Sequence, residues 1–361
     1  MDFEYLHLFV DNAEVWHDWF VNTLDFWPIS DDFLQELSEY SVQHDRLLIL
    51  LSSANSGRAE VQQFLQRYSP GVGDVAFRVR DLDAIAARLQ SCGERLSQPI
   101  RLCKTAVGQV RWCRIRGWGS VCHTLIERAT PLLSATVPQK TEDSRLASAI
   151  PWLDIDHAVI NVPVTELQPA AAWYEKCLGF LPQQRFVIET PRSGLRSVVL
   201  RHPDGDATLP INEPTSENSQ IQEFINQHRG AGVQHVALKT ADLVQTIARL
   251  RRRGLSFLSV PDSYYEQLPQ RQGFWQDAGD WQAIAQQQIL VDWFPETPDV
   301  RLLQTFTQPL FERPTFFWEF IERQVRRASG GVRQASGFGE GNFQALFEAI
   351  EREQARRGSL E

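Results

Sequence analysis

GVGDVAFRVRDLDAIAARL at 71–89 and GVQHVALKTADLVQTIARL at 232–250 share about half of their positions, among them Gly71 with Gly232, Val75 with Val236, Asp81 with Asp242 and Arg88 with Arg249. Each reads as an alternating strand ending on an aspartate placed to cap the helix that follows. The echo extends upstream. FEYLHLFVDNAEVWHDWFVNTLDF at 3–26 matches IDHAVINVPVTELQPAAAWYEKCLGF at 155–180: an apolar strand, a polar turn, then an amphipathic helix closing on leucine-x-phenylalanine. Downstream, TLIER at 124–128 echoes EFIER at 319–323. The same order of elements met twice means duplication of one structural unit, and a period of about 150 to 195 residues is too long for a solenoid. Two pseudo-equivalent domains are expected, each reading strand–helix, several strands, then strand–helix again.

Length and composition agree. The chain has 361 residues, with 36 Lys plus Arg against 45 Asp plus Glu, a net charge of −9 and a pI near 5.5. That is room for about two domains, each with its own core. Hydrophobic content of 43% beside 22% charged residues excludes a disordered or fibrous chain. The acidic balance argues against a nucleic-acid partner. No apolar run is long enough for a membrane helix. The acidic start Met1-Asp2-Phe3-Glu4 lacks the basic n-region of a secretory signal. Cys92, Cys103, Cys113, Cys122 and Cys177 form no CxxC pair and read as reduced, packed thiols, so a cytoplasmic protein is expected. The 11 Trp and 21 Phe put much of the apolar volume into rings of the kind that line a pocket for a flat substrate.

Residues 129–150, ATPLLSATVPQKTEDSRLASAI, have no clean period and read as a linker between domains at 1–128 and 151–361. LRSVVLRH, PDGD and ATLPINEP read as a hairpin, and QQILVDWF with RLLQTFTQ as a second antiparallel pair. GNFQALFEAIEREQARRG reads as a C-terminal helix with Phe343, Leu346, Phe347 and Ile350 on one face. The glycine-rich SGGVRQASGFGEGNF at 329–343 has no strand directly before it and no GK[ST] after it, so a lid with glycine hinges is expected rather than a phosphate loop.

Three polar residues stand where a strand core should be apolar. They are His157 in IDHAVINV, His235 in GVQHVALKT, and Glu319 in TFFWEFIER. A carboxylate buried in such a strand costs several kcal/mol unless something neutralises it, and Arg323 or Arg313 is a candidate partner. A divalent metal would also neutralise it, with the two imidazoles completing one face of the coordination sphere. Two histidines and a carboxylate leave positions open, the pattern of non-haem Fe(II) oxygen chemistry. The repeat supplies an internal comparison, because Tyr5, Asp74 and Thr124 hold the corresponding positions in the first half. One metal site is therefore expected, in the second domain alone. The other histidines, His7, His17, His44, His123, His202 and His228, read as structural or solvated.

At these residues the chain resembles the 4-hydroxyphenylpyruvate dioxygenase family of the vicinal-oxygen-chelate superfamily. The resemblance runs over nearly the whole chain. It is strongest in LRSVVLRHPDG, LPINEPTSENSQIQEFI, GAGVQHVALKTADL, RPTFFWEFIER and GFGEGNFQALFEAIEREQARRG. It implies an α+β fold of two tandem glyoxalase/bleomycin-resistance-like domains, built from paired βαβββ modules, each an open barrel-like sheet, with a C-terminal lid helix. It implies Fe(II) held by His157, His235 and Glu319. It implies substrate-orienting polar groups at Ser197, Asn212, Gln220, Gln234 and Gln304, and sandwiching rings at Phe306, Phe338 and Phe343.

The implied reaction takes 4-hydroxyphenylpyruvate and O2 to homogentisate and CO2, in tyrosine breakdown or quinone precursor supply. Homodimers or homotetramers are implied as well. The nearest rival is 4-hydroxymandelate synthase. In that enzyme a polar residue is expected where Pro210 stands and a Tyr where Phe338 stands, so this chain favours attack on the ring. A metal-free binding protein and an extradiol dioxygenase rank lower, the first against the intact triad and the second against PINEP and GFGEGNF. Departures from the family fall at Thr305, at the aromatic pair Trp318 and Phe320, and in the glutamine-rich stretch 276–288, where they bear on pocket shape.

Overall fold

The computed structural model describes residues 1–105, 108–129, 150–190, 193–276, 280–328 and 331–358. The segment expected to be a linker falls almost wholly outside these. Among the described residues the chain forms two open eight-stranded sheets and one small hairpin. The first sheet holds β1 (Asp2–Phe9), β2 (Trp27–Pro28), β3 (Tyr40–His44), β4 (Leu47–Ser52), β5 (Gly71–Val79), β6 (Leu96–Thr105), β7 (Gly108–Arg116) and β8 (Cys122–Arg128). The second holds β9 (Trp152–Asn161), β10 (Leu181–Glu189), β11 (Gly194–Arg201), β12 (Thr208–Pro214), β13 (Gly232–Thr240), β14 (Leu290–Asp292), β15 (Leu302–Phe306) and β16 (Phe317–Arg323). The hairpin is β17 (Val325–Ala328) with β18 (Gly331–Gln334).

The strand orders are β2-β3-β4-β1-β5-β8-β7-β6 and β10-β11-β12-β9-β13-β16-β15-β14, the same path drawn twice. In each sheet the two middle strands run antiparallel, and each pairs outward with a parallel neighbour: β1 with β4 and β5 with β8, then β9 with β12 and β13 with β16. This is the paired βαβββ arrangement. The aspartates that end β5 and β13 cap the helices Leu82–Ser91 and Leu243–Arg252. Asp81 accepts from Ala84 N and Asp242 from Gln245 N, both at 2.9 Å. The two expected hairpins form as β11–β12 and β14–β15. The C-terminal helix spans Phe343–Arg357, with Ile350 buried; the side chains of Leu346 and Phe347 lie outside the described residues.

Strands β5 and β13 alternate in sequence, yet both of their faces are covered. The reason is that the two halves share a core. Trp318 packs edge-on against Phe20 with ring centroids 6.0 Å apart, Trp16 meets Phe311 at 4.9 Å, and Trp152 donates from Nε1 to the Leu24 carbonyl at 2.8 Å. Burying each such side chain stabilises by about 1.5–3 kcal/mol. His123 and His228 belong to this junction. The Val75 carbonyl can only accept, so His123 Nδ1 donates to it at 2.9 Å and Nε2 accepts from the Tyr174 hydroxyl at 2.9 Å. His228 Nε2 pairs with Ser120 Oγ at 2.9 Å.

The β1–β5 and β9–β13 ladders carry a bulge at the same place. Phe3 and Tyr5 pair with consecutive residues Phe77 and Ala76, which leaves Glu4 without a partner. Ile155 and His157 pair with Leu238 and Ala237, which leaves Asp156 as the extra residue. A bulge turns a side chain out of strict alternation. Both turned residues are buried carboxylates, and each meets an arginine from the end of the strand beyond the antiparallel partner, β8 or β16: Glu4 with Arg128 and Asp156 with Arg323.

Candidate metal centre and its cavity

His157, Ala237 and Glu319 lie in one row across β9, β13 and β16. His235 stands two residues before Ala237, hence on the same face. The possible ligand atoms of His157, His235 and Glu319 all lie within 4.8 Å of one another. Glu319 Oε2 is 3.2 Å from His157 Nε2 and 3.6 Å from His235 Nε2. Its other oxygen accepts from Gln304 Nε2 at 3.0 Å. The carboxylate is only 2% exposed.

The sequence offered Arg323 or Arg313 as partners for Glu319. Neither pairs with it. Arg323 is engaged by Asp156, and Arg313 reaches Gln227. Burial works against a charged His157. The Glu319 carboxylate outweighs it, aided by the hydrogen bonds to Asp156 and Glu319, and pushes the imidazole pKa up to about 9. His235 goes the other way, driven well below the ordinary range by burial and then by its neighbour His157. In the metal-free protein the charged form of His157 is thus favoured beside Glu319. Two imidazole nitrogens and a carboxylate oxygen, converging in a dry site, fit a divalent transition metal.

A cavity walled largely by aromatic and aliphatic side chains opens over the triad. Of the residues singled out in the sequence, Pro210, Asn212, Gln220, Gln234, Gln304, Phe306, Phe338 and Phe343 line it. Ser197 does not. It is buried on β11, between Phe186 and Asn212, and its Oγ has no hydrogen-bond partner among the described residues. It shares a strand face with Leu195 and Val199, which do line the cavity.

Two amides act on the triad itself. Gln234 Oε1 lies 3.2 Å from His235 Nδ1, and an acceptor there directs Nε2 toward the centre. Gln304 donates to Glu319 and, at 3.0 Å, to the Phe338 carbonyl, while its own carbonyl accepts from Asn342 Nδ2 at 3.1 Å. Gly337 and Gly339 flank Phe338 with φ of +81° and +82°. A side chain at Gly339 would run into the Gln304 amide, so the turn closes on the network only with glycine there.

Some walls were not foreseen. Phe317 stacks on His235, with centroids 4.7 Å apart and planes 18° apart. Phe186 stacks on Phe343 at 4.6 Å. Phe317 is two residues before Glu319, so strand parity alone would have put it on the cavity face. Phe186 and Ile188 alternate along β10 and carried the same signal. Trp318 and Phe320 point away into the shared core, and Phe320 meets Trp152 at 5.0 Å.

Comparison with known proteins places the chain in a family. Residues 154–273 match the Glyoxalase/Bleomycin resistance protein/Dioxygenase superfamily. A 4-hydroxyphenylpyruvate dioxygenase from Caenorhabditis briggsae is 36% identical over 99% of this chain and 93% of its own. An uncharacterized Synechocystis protein is 34% identical over 97% of both chains. Among solved structures, a mutant of 4-hydroxymandelate synthase from Streptomyces coelicolor superposes with a TM-score of 0.80 at 24% identity, covering 98% of each chain, which speaks for the fold. No helix among the described residues is long and apolar enough to cross a membrane. A fold drawn twice, a buried two-histidine carboxylate cluster and full-length relatedness agree, and the chain belongs to the 4-hydroxyphenylpyruvate dioxygenase family.

Proposed function

We propose that the chain is an Fe(II)-dependent dioxygenase converting 4-hydroxyphenylpyruvate and O2 to homogentisate and CO2. The observation that carries this reading is the convergence of His157, His235 and Glu319 within 4.8 Å beside an aromatic-walled cavity. Among the described residues that line the cavity there is no lysine or arginine. An α-keto acid therefore needs its countercharge from a cation at the triad. When bound there, a ferrous ion supplies Lewis acidity for the 2-oxo-carboxylate and the electrons for dioxygen activation.

The chain's own residues do the rest. Phe306, Phe338 and Phe343 hold the phenol ring. Asn212, Gln220 and Gln234 offer neutral donors and acceptors to its hydroxyl and carboxylate, with Ser197 behind them. Pro210 shapes the pocket. Gln304 holds Glu319 and the Phe338 turn together. That turn and the helix Phe343–Arg357 exclude water from the reacting centre. Loss of CO2 puts one oxygen atom into the new acetate carboxylate, the other then enters the ring carbon bearing the side chain, and the side chain moves to the adjacent ring carbon.

The test is turnover of 4-hydroxyphenylpyruvate in air after Fe(II) loading. Oxygen uptake should equal the homogentisate formed, stop with a chelator and return with added Fe(II). No oxygen uptake by the loaded protein, or 4-hydroxymandelate as the product, would overturn the reading.

A further inference from the structure

Asp156 and His157 are neighbours on β9, and in a regular strand their side chains would face opposite ways. The bulge at Asp156 brings them to one side, and Asp156 Oδ1 lies 2.9 Å from His157 Nδ1. Asp156 is also gripped by Arg323 through two parallel bonds, Nε to Oδ2 and Nη2 to Oδ1, each 2.7 Å. Lys239 Nζ stands 3.5 Å from Oδ2. A carboxylate fixed by a guanidinium fork is a rigid acceptor. It leaves His157 one ring orientation, with Nε2 turned toward Glu319.

Arg323 does more than hold Asp156. Its Nη1 donates to the Gly337 carbonyl at 2.8 Å, and its guanidinium carbon is 5.8 Å from the centre of the Phe338 ring. Phe338 in turn stands edge-on to His157 at 5.6 Å. The chain His157–Asp156–Arg323–Gly337 thus runs from the triad to the turn that walls the cavity.

We infer that Asp156 and Arg323 form a positioning pair that fixes the His157 imidazole for metal binding and ties that orientation to the closed Gly337–Phe338 turn. The inference rests on the metal site proposed above. A purely architectural role is the alternative, and the molecule contains its own control. Glu4 and Arg128 form the same pair on the same bulge in the first half, where Tyr5 replaces the histidine. If the pair only braced a bulged strand, both copies would serve alike.

The experiment is calorimetric titration of the metal-free full chain with Co(II), together with thermal melting and amide hydrogen exchange over residues 335–339. Asp156→Asn should weaken Co(II) binding roughly 10–100-fold, the range for loss of a partner behind a ligating histidine. Glu4→Gln should lower the melting temperature while leaving Co(II) affinity as in the parent. Arg323→Lys keeps the charge but loses the fork and the reach to Gly337. It should weaken Co(II) binding and speed exchange at 337–339, and it tests the inference even where Asp156→Asn fails to fold. Parental Co(II) affinity and parental exchange in Arg323→Lys would overturn the inference, as would an equal loss of affinity in Glu4→Gln. Failure of the parent chain itself to bind Co(II), or parental binding by Glu319→Gln, would instead sink the metal site.

Discussion

In the first half Tyr5, Asp74 and Thr124 occupy the sheet positions that His157, His235 and Glu319 hold in the second, and Arg114 on β7 stands where β15 carries Phe306. Asp74 accepts from the backbone N–H and the hydroxyl of Thr124, and Arg114 Nε lies 3.2 Å from its Oδ2. The other end of Arg114 reaches Glu60 at 3.2 Å. Both halves therefore bury an acid at the same crossroads of three strands, and a buried acid must be neutralised. The first half does this with a guanidinium from its own chain, which fills the position. The second half puts a phenyl ring there and leaves its acid to two imidazoles, the donor set of the proposed metal site. The difference between a brace and a reactive centre comes down to which side chain the next strand delivers.

The sharpest way to break this comparison is to change the acid in each half. Glu319→Gln should lower kcat/KM at least ~1,000-fold, on the order of 4 kcal/mol, in a protein that still folds; oxygen uptake and far-UV circular dichroism check both parts. Asp74→Asn should do the reverse. Stripping Arg114 of its buried partner should destabilise the protein by about 3–5 kcal/mol, read by denaturant unfolding, while each folded molecule keeps its turnover. Loss of bound metal in Asp74→Asn would mean that the first half takes part in the chemistry after all.

Buried imidazoles give the protein two opposite pH signatures. Burial pushes the His123 pKa down to about 4, despite its bond to Val75. Its neutral form contributes stability fully above the unfolded value near 6.5, and this is lost as pH falls toward 4. His157, lifted to about 9, contributes stability that is fully present below 6.5 and is lost as pH rises through 9. Each shift corresponds to about 3 kcal/mol at its limit. The metal-free protein should therefore be most stable near pH 6.5, with thermal melts falling on both sides. Glu319→Gln should flatten the alkaline limb and leave the acid one, since His228, also pushed to about 4 by burial, adds to it. An alkaline limb that survives in Glu319→Gln would show that His157 is not held charged by that acid.

The fold and the convergence of His157, His235 and Glu319 are legible because duplication leaves a second copy against which a residue out of place stands out. A histidine in a core strand means little alone; the same strand met again with Tyr5 in its place means more. What was not legible is the bulge. Nothing in IDHAV says that Asp156 turns to the side of His157, so Arg323 was offered to Glu319 when its partner is Asp156. The shared core was hidden for a similar reason: alternation promises one wet face, and only the packing of Phe20 on Trp318 shows that there is none. Phe186 and Phe317 are readable by parity, whereas the anchoring of the Gln304 amide is not, because the turn that meets it comes from residues 338–342, far along the chain.

Thr305 sharpens the comparison at its finest scale. It lies between Gln304 and Phe306, two residues that line the cavity, and it departs from the branched aliphatic residue expected there. Register decides its role: Thr305 pairs with Phe320 on the core face of β15 and β16, while Phe306 pairs with Glu319 on the cavity face. Exchanging its hydroxyl for a methyl changes packing beside Phe320 and touches nothing that meets substrate. Thr305→Val should therefore shift stability by less than about 1 kcal/mol and leave KM and the product unchanged, as steady-state oxygen uptake would read. Phe306→Leu, one residue along, should raise KM clearly by removing a ring from the wall. If Thr305→Val moved KM as much as Phe306→Leu, the two faces of β15 would not be separate, and assigning one to the core shared with the first half and the other to chemistry would fail.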